Sequence, residues 1–89
     1  MVQKKWLALP GSTDRLVLLS YEGGPARFAN LSRVQADGSE LWVAQPPESQ
    51  DAWVDVDLQG GLVVATSWSC WRVSLALDSG EEVARVFTK

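Results

Sequence analysis

The chain has 89 residues, a net charge of −3, a pI near 4.7 and no histidine. Its length fits a single domain spanning residues 1–89, and its 46% hydrophobic content is too high for a disordered chain. Without histidine, Ser-His-Asp and Cys-His nucleophilic systems and imidazole metal sites are excluded. The basic residues are scattered, and no apolar run reaches the roughly 20 residues of a membrane-spanning helix. The sequence therefore predicts no nucleic-acid partner, no membrane partner and no metal.

Two features of the sequence bear on the cellular compartment. The first residues, MVQKKWLALPG, contain too short an apolar run for a signal peptide. Cys70 is the single cysteine and cannot form an internal disulfide, which agrees with a reducing environment. We therefore expect a cytoplasmic protein.

Turn signals interrupt the sequence at short, even intervals, from Pro10-Gly11 to Asp78-Ser79-Gly80. The segments between them are short and rich in β-branched and aromatic residues, and none has the length or spacing of a helix. This pattern predicts an all-β antiparallel meander of about eight short strands. The predicted strands are Lys5–Leu9, Leu16–Tyr21, Asn30–Gln35, Glu40–Gln45, Trp53–Leu58, Leu62–Trp68, Trp71–Leu77 and Glu82–Thr88.

Alternation within the predicted strands indicates which faces are buried. In WVDVDLQ we expect Val54, Val56 and Leu58 to share the buried face, with Asp55 and Asp57 opposite. In WRVSLALD the apolar side chains likewise occupy alternate positions, starting from the tryptophan. Such strands are typical of a sheet with one face exposed to water.

Two other strands, within Leu16–Leu19 and Leu62–Ala65, are apolar on both faces. A strand of this kind needs cover above and below, so the sequence predicts a second layer. That layer is either another part of the chain or another copy of it.

The two halves of the sequence are similar, with a first repeat at about residues 5–46 and a second at about 52–88. Each half is about 40 residues long and contains four predicted strands, which is the size of one β-propeller blade. The positions that we match between the halves are Trp6 with Trp53, Leu16 with Leu62, Gly38 with Gly80, and Glu40 with Glu82.

The segments NLSRVQADGSELWVAQ and WRVSLALDSGEEVARVF carry this resemblance most clearly. Each resembles the third strand, turn and fourth strand of pyrroloquinoline-quinone-type and WD40-like propeller blades. The resemblance implies blade-like repeats that either close a ring by oligomerisation or fold as a small sandwich or barrel. The sequence lacks the Gly-His and Trp-Asp pairs of WD40 blades and has no cofactor motif, so we expect no cofactor.

The stretch SWSCWR contains two tryptophans around the lone cysteine. Cys70 is either a reactive thiol, which needs a nearby cation to lower its pKa, or a small apolar side chain at a strand turn. We favour the second interpretation, because Arg72 alone is weak support for a reactive thiol.

Asp51, Asp55 and Asp57 form an acidic strip in the sequence. Paired carboxylates can catalyse glycoside hydrolysis or bind Ca²⁺. Acidic residues on one face of an outer strand more often simply face solvent, and that is the interpretation we favour here.

The candidate ligand-binding residues are Tyr21, Trp53, Trp68, Trp71 and Arg72. If the aromatic rings lie at one rim of the sheets, they could stack a sugar or grip a peptide, with Arg72 as a hydrogen-bond donor. The alternative, which we favour, is that the rings fill the space between the sheets and between the repeats. The segment Gly23–Phe28 is an insertion relative to the second repeat, and it is either functional or a simple connector.

The sequence as a whole favours a small non-enzymatic binding protein that self-associates as a homo-oligomer, with another protein as a further partner. This hypothesis depends on the missing catalytic chemistry and on the surplus of apolar and aromatic residues. The alternative hypothesis is a carbohydrate- or small-ligand-binding module that uses the rim aromatics.

Overall fold

We describe a computed structural model of the chain, which covers residues 3–20, 29–48 and 51–88. Within these ranges the chain forms strands and turns and no helix, which confirms the all-β prediction. The strands are β1 (Gln3–Ala8), β2 (Arg15–Leu19), β3 (Leu31–Val34), β4 (Glu40–Ala44), β5 (Trp53–Gln59), β6 (Leu62–Ser67), β7 (Trp71–Ala76) and β8 (Glu82–Phe87).

The strands form two separate four-stranded sheets of blade-like form. Sheet 1 has the order β1-β2-β3-β4 and sheet 2 the order β5-β6-β7-β8, with every neighbouring pair antiparallel. The predicted arrangement of two four-stranded meanders is therefore confirmed. The described strands do not close into a barrel, since each of the two sheets is formed by four of them and no strand pairs across the sheets.

The first strand pair of each sheet contains an irregularity in register. It lies between Gln3 and Lys5 in sheet 1 and between Trp53 and Asp55 in sheet 2. A β-bulge adds one residue to a strand and changes the side-chain alternation on either side of it. Our assignment of the faces of β5 was therefore incomplete: Trp53 is buried together with Val56.

These bulges define which positions are equivalent in the two sheets. Counted from them, Lys5 corresponds to Asp55, and Trp6 corresponds to Val56 rather than to Trp53. The sequence match of Trp6 with Trp53 was wrong because the β1–β2 connection spans residues 9–14, whereas the β5–β6 turn contains only residues 60 and 61. The match of Gly38 with Gly80 agrees with the pairing of the last two strands.

The apolar core lies between the two sheets. Sheet 1 contributes side chains from β2, β3 and β4, and sheet 2 contributes side chains from β5, β6 and β7. The buried members of this cluster are Leu9, Leu16, Leu18, Leu31, Trp42, Ala44, Trp53, Val56, Val63, Ala65, Val73 and Leu75.

The two sheets use opposite faces to build this core. Leu16 is equivalent to Val64, so the sequence match of Leu16 with Leu62 was wrong by two residues. Leu16 is in the core cluster, whereas Val64 is not. One residue further along each strand the opposite holds: Ala65 of sheet 2 is in the core cluster, whereas the equivalent Val17 of sheet 1 is not. We call the side bearing Leu16 or Val64 face A and the side bearing Val17 or Ala65 face B. Face A of sheet 1 therefore packs on face B of sheet 2.

A buried asparagine fixes sheet 1 to the first strand of sheet 2. The Asn30 side-chain amide donates to the carbonyls of Leu19 and Trp53, both at 2.8 Å, and its oxygen accepts from the Trp53 N–H at 2.8 Å. The Trp53 indole N–H donates to the Ala44 carbonyl at 3.0 Å. Because unpaired buried polar groups are costly, these bonds determine where β5 can lie.

A second set of bonds fixes the other end of the interface. The Leu77 carbonyl accepts from the Arg33 guanidinium and from the Trp42 indole, each at 2.9 Å. Arg33 also forms an ion pair of 2.9 Å with Asp14. The turn after β7 therefore lies directly against β3 and β4.

Candidate binding surface

The turn between β6 and β7 presents the most exposed tryptophan among the described residues. Trp68 is 73% exposed. The turn closes through a bond from the Cys70 N–H to the Ser67 carbonyl at 3.1 Å and a bond from the Trp71 N–H to Ser67 Oγ at 3.2 Å. Cys70 has a φ of 74°, in the left-handed region that side chains other than glycine rarely adopt.

Asp51 stabilises this turn through hydrogen bonds to Ser69. It is buried, and its carboxylate accepts hydrogen bonds from the Ser69 hydroxyl at 2.6 Å, the Ser69 N–H at 3.1 Å and the Ala52 N–H at 2.9 Å. Asp51 is thus separate from Asp55 and Asp57, which are exposed on β5. Its position indicates a role in holding the turn in shape.

Trp71 lies beside the turn and is partly buried. Its indole N–H donates to Glu48 Oε1 at 3.0 Å, and its ring meets the ring of Phe87 edge-on at 5.2 Å between centroids. The Arg85 guanidinium lies 5.2 Å from the centre of the Trp71 ring, within the range of a cation–π contact. Charged and aromatic groups therefore surround this ring on several sides.

The predicted ligand-binding residues are distributed over three environments. Trp68 and Trp71 lie at the same turn, as the sequence suggested. Trp53 is 1% exposed and its ring is part of the core. Arg72 is exposed on face A of sheet 2, and Tyr21 lies outside the described residues.

Three members of this surface were not selected from the sequence: Glu48, Arg85 and Phe87. The register of β7 with β8 places Phe87 opposite Trp71. The hairpin turn at Asp78-Ser79-Gly80 could have indicated this pairing, because turn length determines which residues of a hairpin face each other. Glu48 comes from the connection between the sheets, and no local pattern indicates its contact with Trp71.

The exposed carboxylates of β5 are also placed by the structure. Asp55 forms an ion pair with Lys5 at 3.1 Å, and this hydrogen bond holds the pKa of Asp55 below its ordinary value. Asp57 is exposed on the same strand. Among residues 3–20, 29–48 and 51–88, no three His, Cys, Asp or Glu side chains come together as possible metal ligands.

The comparison with known families gives one match, which covers residues 11–87. The matching family is described as "Domain of unknown function (DUF7957)". The chain belongs to this family. No curated protein and no solved structure matches the chain. In the described part of this DUF7957 chain, no helix is long and apolar enough to cross a membrane.

The DUF7957 chain exposes large apolar side chains in two regions. The first region, which we call the corner patch, consists of Trp68, Trp71 and Phe87 near the β6–β7 turn. The second is face B of sheet 1, where Trp6 is 54% exposed and Val43 is 40% exposed. Further exposed apolar side chains are Leu41, Val83 and Val86.

Proposed function

We propose that this DUF7957 protein is a non-enzymatic binding protein that self-associates. The observation that carries the proposal is the exposure of large apolar side chains on both sheets, above all Trp6 and Val43 on face B of sheet 1. Apolar groups of this size on a small soluble domain commonly mark surfaces that another protein covers. The single cysteine, which cannot form an internal disulfide, supports a reducing compartment such as the cytoplasm for this protein.

The chemistry of the described residues supports a binding role over a catalytic one. The chain contains no histidine. Asp55 is engaged by Lys5, and its lowered pKa leaves it ionised at neutral pH, whereas a general acid for glycoside hydrolysis needs a raised pKa. The Asp51 carboxylate accepts hydrogen bonds from the N–H and the hydroxyl of Ser69 in the β6–β7 turn. Two of the three carboxylates singled out in the sequence, Asp51 and Asp55, therefore have structural partners.

Size-exclusion chromatography with light scattering tests self-association directly. We expect a mass that is a multiple of the 9.7 kDa chain and that falls on dilution. A single species of 9.7 kDa at concentrations up to the millimolar range would falsify this proposal.

The corner patch supports a second candidate function, the binding of a carbohydrate or another small ligand. Trp68 presents most of its indole to solvent, and the carboxylate of Glu48 lies at the neighbouring Trp71. An exposed indole face beside a hydrogen-bonding carboxylate is a suitable arrangement for stacking against a sugar ring.

A tryptophan fluorescence titration against a panel of glycans tests this second candidate. Stacking on Trp68 should shift the emission, and Trp68→Ala should abolish the shift. Trp6→Ala is the matched control, because it removes another exposed tryptophan on a different surface and should leave the shift intact. The candidate fails if no glycan changes the emission or if both variants respond alike.

A further inference from the structure

Among the described residues, the opposite-face arrangement leaves one face of each sheet without a partner sheet. Sheet 1 retains face B, and sheet 2 retains face A. On face B of sheet 1 the exposed side chains are Trp6 and Val43 of the outer strands, whereas Val17, Ser32 and Val34 of the central strands are buried. Within the chain, a face A already packs on a face B. We propose that face A of sheet 2 packs on face B of sheet 1 of a second copy, so that copies join head to tail. This inference rests on the self-association proposed above and specifies its geometry.

The side chains on the two free faces fit this arrangement. Within the chain, β2 of sheet 1 contacts β5 of sheet 2. The corresponding contact between copies joins β6 of one copy to β1 of the next. At this contact Thr66 takes the place of Leu18, and Trp6 takes the place of Val56. Thr66 is smaller than Leu18, whereas Trp6 is larger than Val56. The combined volume of the two side chains at this position is therefore similar in the two contacts.

The first strands carry complementary charges at one position of the junction, and Arg72 on face A of sheet 2 and Arg15 on face B of sheet 1 also lie on the two faces. Lys5 and Asp55 occupy equivalent positions in the two sheets and form an ion pair within the chain. In a head-to-tail contact, Asp55 of one copy would lie next to Lys5 of the following copy, as Lys5 lies next to Asp55 within the chain. Lysines and aspartates therefore alternate from sheet to sheet, and no like charges meet at this position.

The junction between copies differs from the interface within the chain in one respect. The positions equivalent to Arg33 and Trp42 carry Ser74 and Ala84, whose short side chains cannot replace the bonds that Arg33 and Trp42 donate to the Leu77 carbonyl within the chain. The contact between copies therefore retains the stacking of the sheets but lacks these hydrogen bonds. We expect it to be weaker than the interface within the chain and sensitive to protein concentration.

A contact between two different faces either closes a ring or continues as a filament. Rings of stacked blades typically contain about four to eight sheets. Since each copy supplies two sheets, a closed ring would contain about two to four copies.

The decisive experiment blocks one free face at a time and then mixes the two variants. Trp6→Lys places a charge on face B of sheet 1, and Val64→Lys places a charge on face A of sheet 2. Thr13→Lys, in an exposed turn, is the matched control for the added charge. Circular dichroism and thermal unfolding establish that each variant is folded before its mass is measured.

Light scattering should show an oligomer for the wild type and for Thr13→Lys, and a 9.7 kDa monomer for each face variant alone. An equal mixture of Trp6→Lys and Val64→Lys should form a 1:1 dimer, because each copy still offers the face that the other needs. That dimer cannot grow, since its two outer faces both carry lysine.

Other results overturn the head-to-tail geometry. If only one variant loses self-association, or if neither does, the contact joins like surfaces or uses another part of the chain. If both variants are monomeric and their mixture is too, the two faces are not partners. In these cases the proposed self-association stands, whereas a monomeric wild type overturns the proposed function together with this geometry.

Discussion

The fourth strands of the two sheets occupy equivalent positions but have very different surroundings. In β4, Trp42 and Ala44 are buried, whereas every side chain of β8 is exposed. The difference arises because the turn after β7 packs on β4, and among the described residues nothing equivalent packs on β8. Burial in this fold is thus determined by the neighbouring sheet as much as by the sequence of the strand itself. The head-to-tail contact would place another sheet beside β8.

The largest expected loss of stability comes from removing the side chain of Trp42, the tryptophan of β4 that sheet 2 covers. Trp42→Ala should lower the free energy of unfolding by about 3–5 kcal/mol, because it opens a cavity against sheet 2 and removes the bond to Leu77. Phe87→Ala, on the uncovered strand, should cost no more than about 1.5 kcal/mol. Urea denaturation measures both values, and equal losses would contradict the comparison of the strands.

A smaller loss of stability is expected when a methyl group is added at Gly80, where the turn after β7 contacts Trp42 of sheet 1. A Cβ at Gly80 would lie 2.6 Å from the Trp42 ring, and Gly80 has a φ of 74°. Gly38 is the equivalent turn glycine, with a φ of 91° and open space around it. Gly38→Ala should cost about 1–2 kcal/mol through its backbone alone. Gly80→Ala should cost about 1–3 kcal/mol more through overpacking.

The thermal unfolding midpoints of these two glycine variants provide the measurement. A difference between them reports the contact of Gly80 with Trp42, since the backbone cost is common to both positions. If the two variants unfold at the same temperature, the turn after β7 does not press on Trp42 in solution.

The end of β8 depends on a residue in a strained conformation. The Cys70 carbonyl accepts from both the N–H and the hydroxyl of Thr88, at 2.8 and 2.7 Å, while Cys70 has a φ of 74°. Glycine adopts this conformation without strain. Cys70→Gly should therefore be more stable than Cys70→Ala by about 1 kcal/mol. Urea denaturation of this pair tests the point, and a more stable alanine variant would argue against the left-handed conformation.

The smallest effect concerns the ion pair between the first strands. Because the folded-state pKa of Asp55 is lowered, its contribution is present above the ordinary carboxyl pKa of about 4 and is lost as the pH falls through the folded value. The pair is well exposed, so we expect less than about 1 kcal/mol. The stability difference between wild type and Asp55→Asn should shrink below about pH 4. A difference that is constant from pH 7 to pH 3 would contradict this role.

Much of the fold could be predicted from the sequence because its strands are short and bounded by strong turn signals. All eight segments become strands, with boundaries that move by only one or two residues. The bulge at Trp53 could not be predicted, because an inserted residue shifts the alternation without leaving a pattern of its own. With this bulge Trp53 lies in the core, as in the interpretation that we favoured, and not at the rim that a ligand-binding role requires.

The candidate surface was predictable only where its residues are neighbours in the chain. Trp68 and Trp71 share a turn and were identified together. Glu48 and Asp51 reach the same turn from the connection between the sheets, and their contacts depend on how the two sheets are stacked. Asn30 likewise reaches across to β5 as a buried bridge, and nothing in its local sequence indicates that contact.

The order of strands also has a consequence for the kinetics of folding. Each of the eight described strands pairs only with its neighbours in sequence, so each sheet can assemble hairpin by hairpin. The late event is the docking of two preformed sheets, when the Asn30 amide must meet the backbone of Trp53, 23 residues away. The barrier to folding should therefore reflect the search for this single polar contact, and substitutions of Asn30 should slow folding more than those on the free faces.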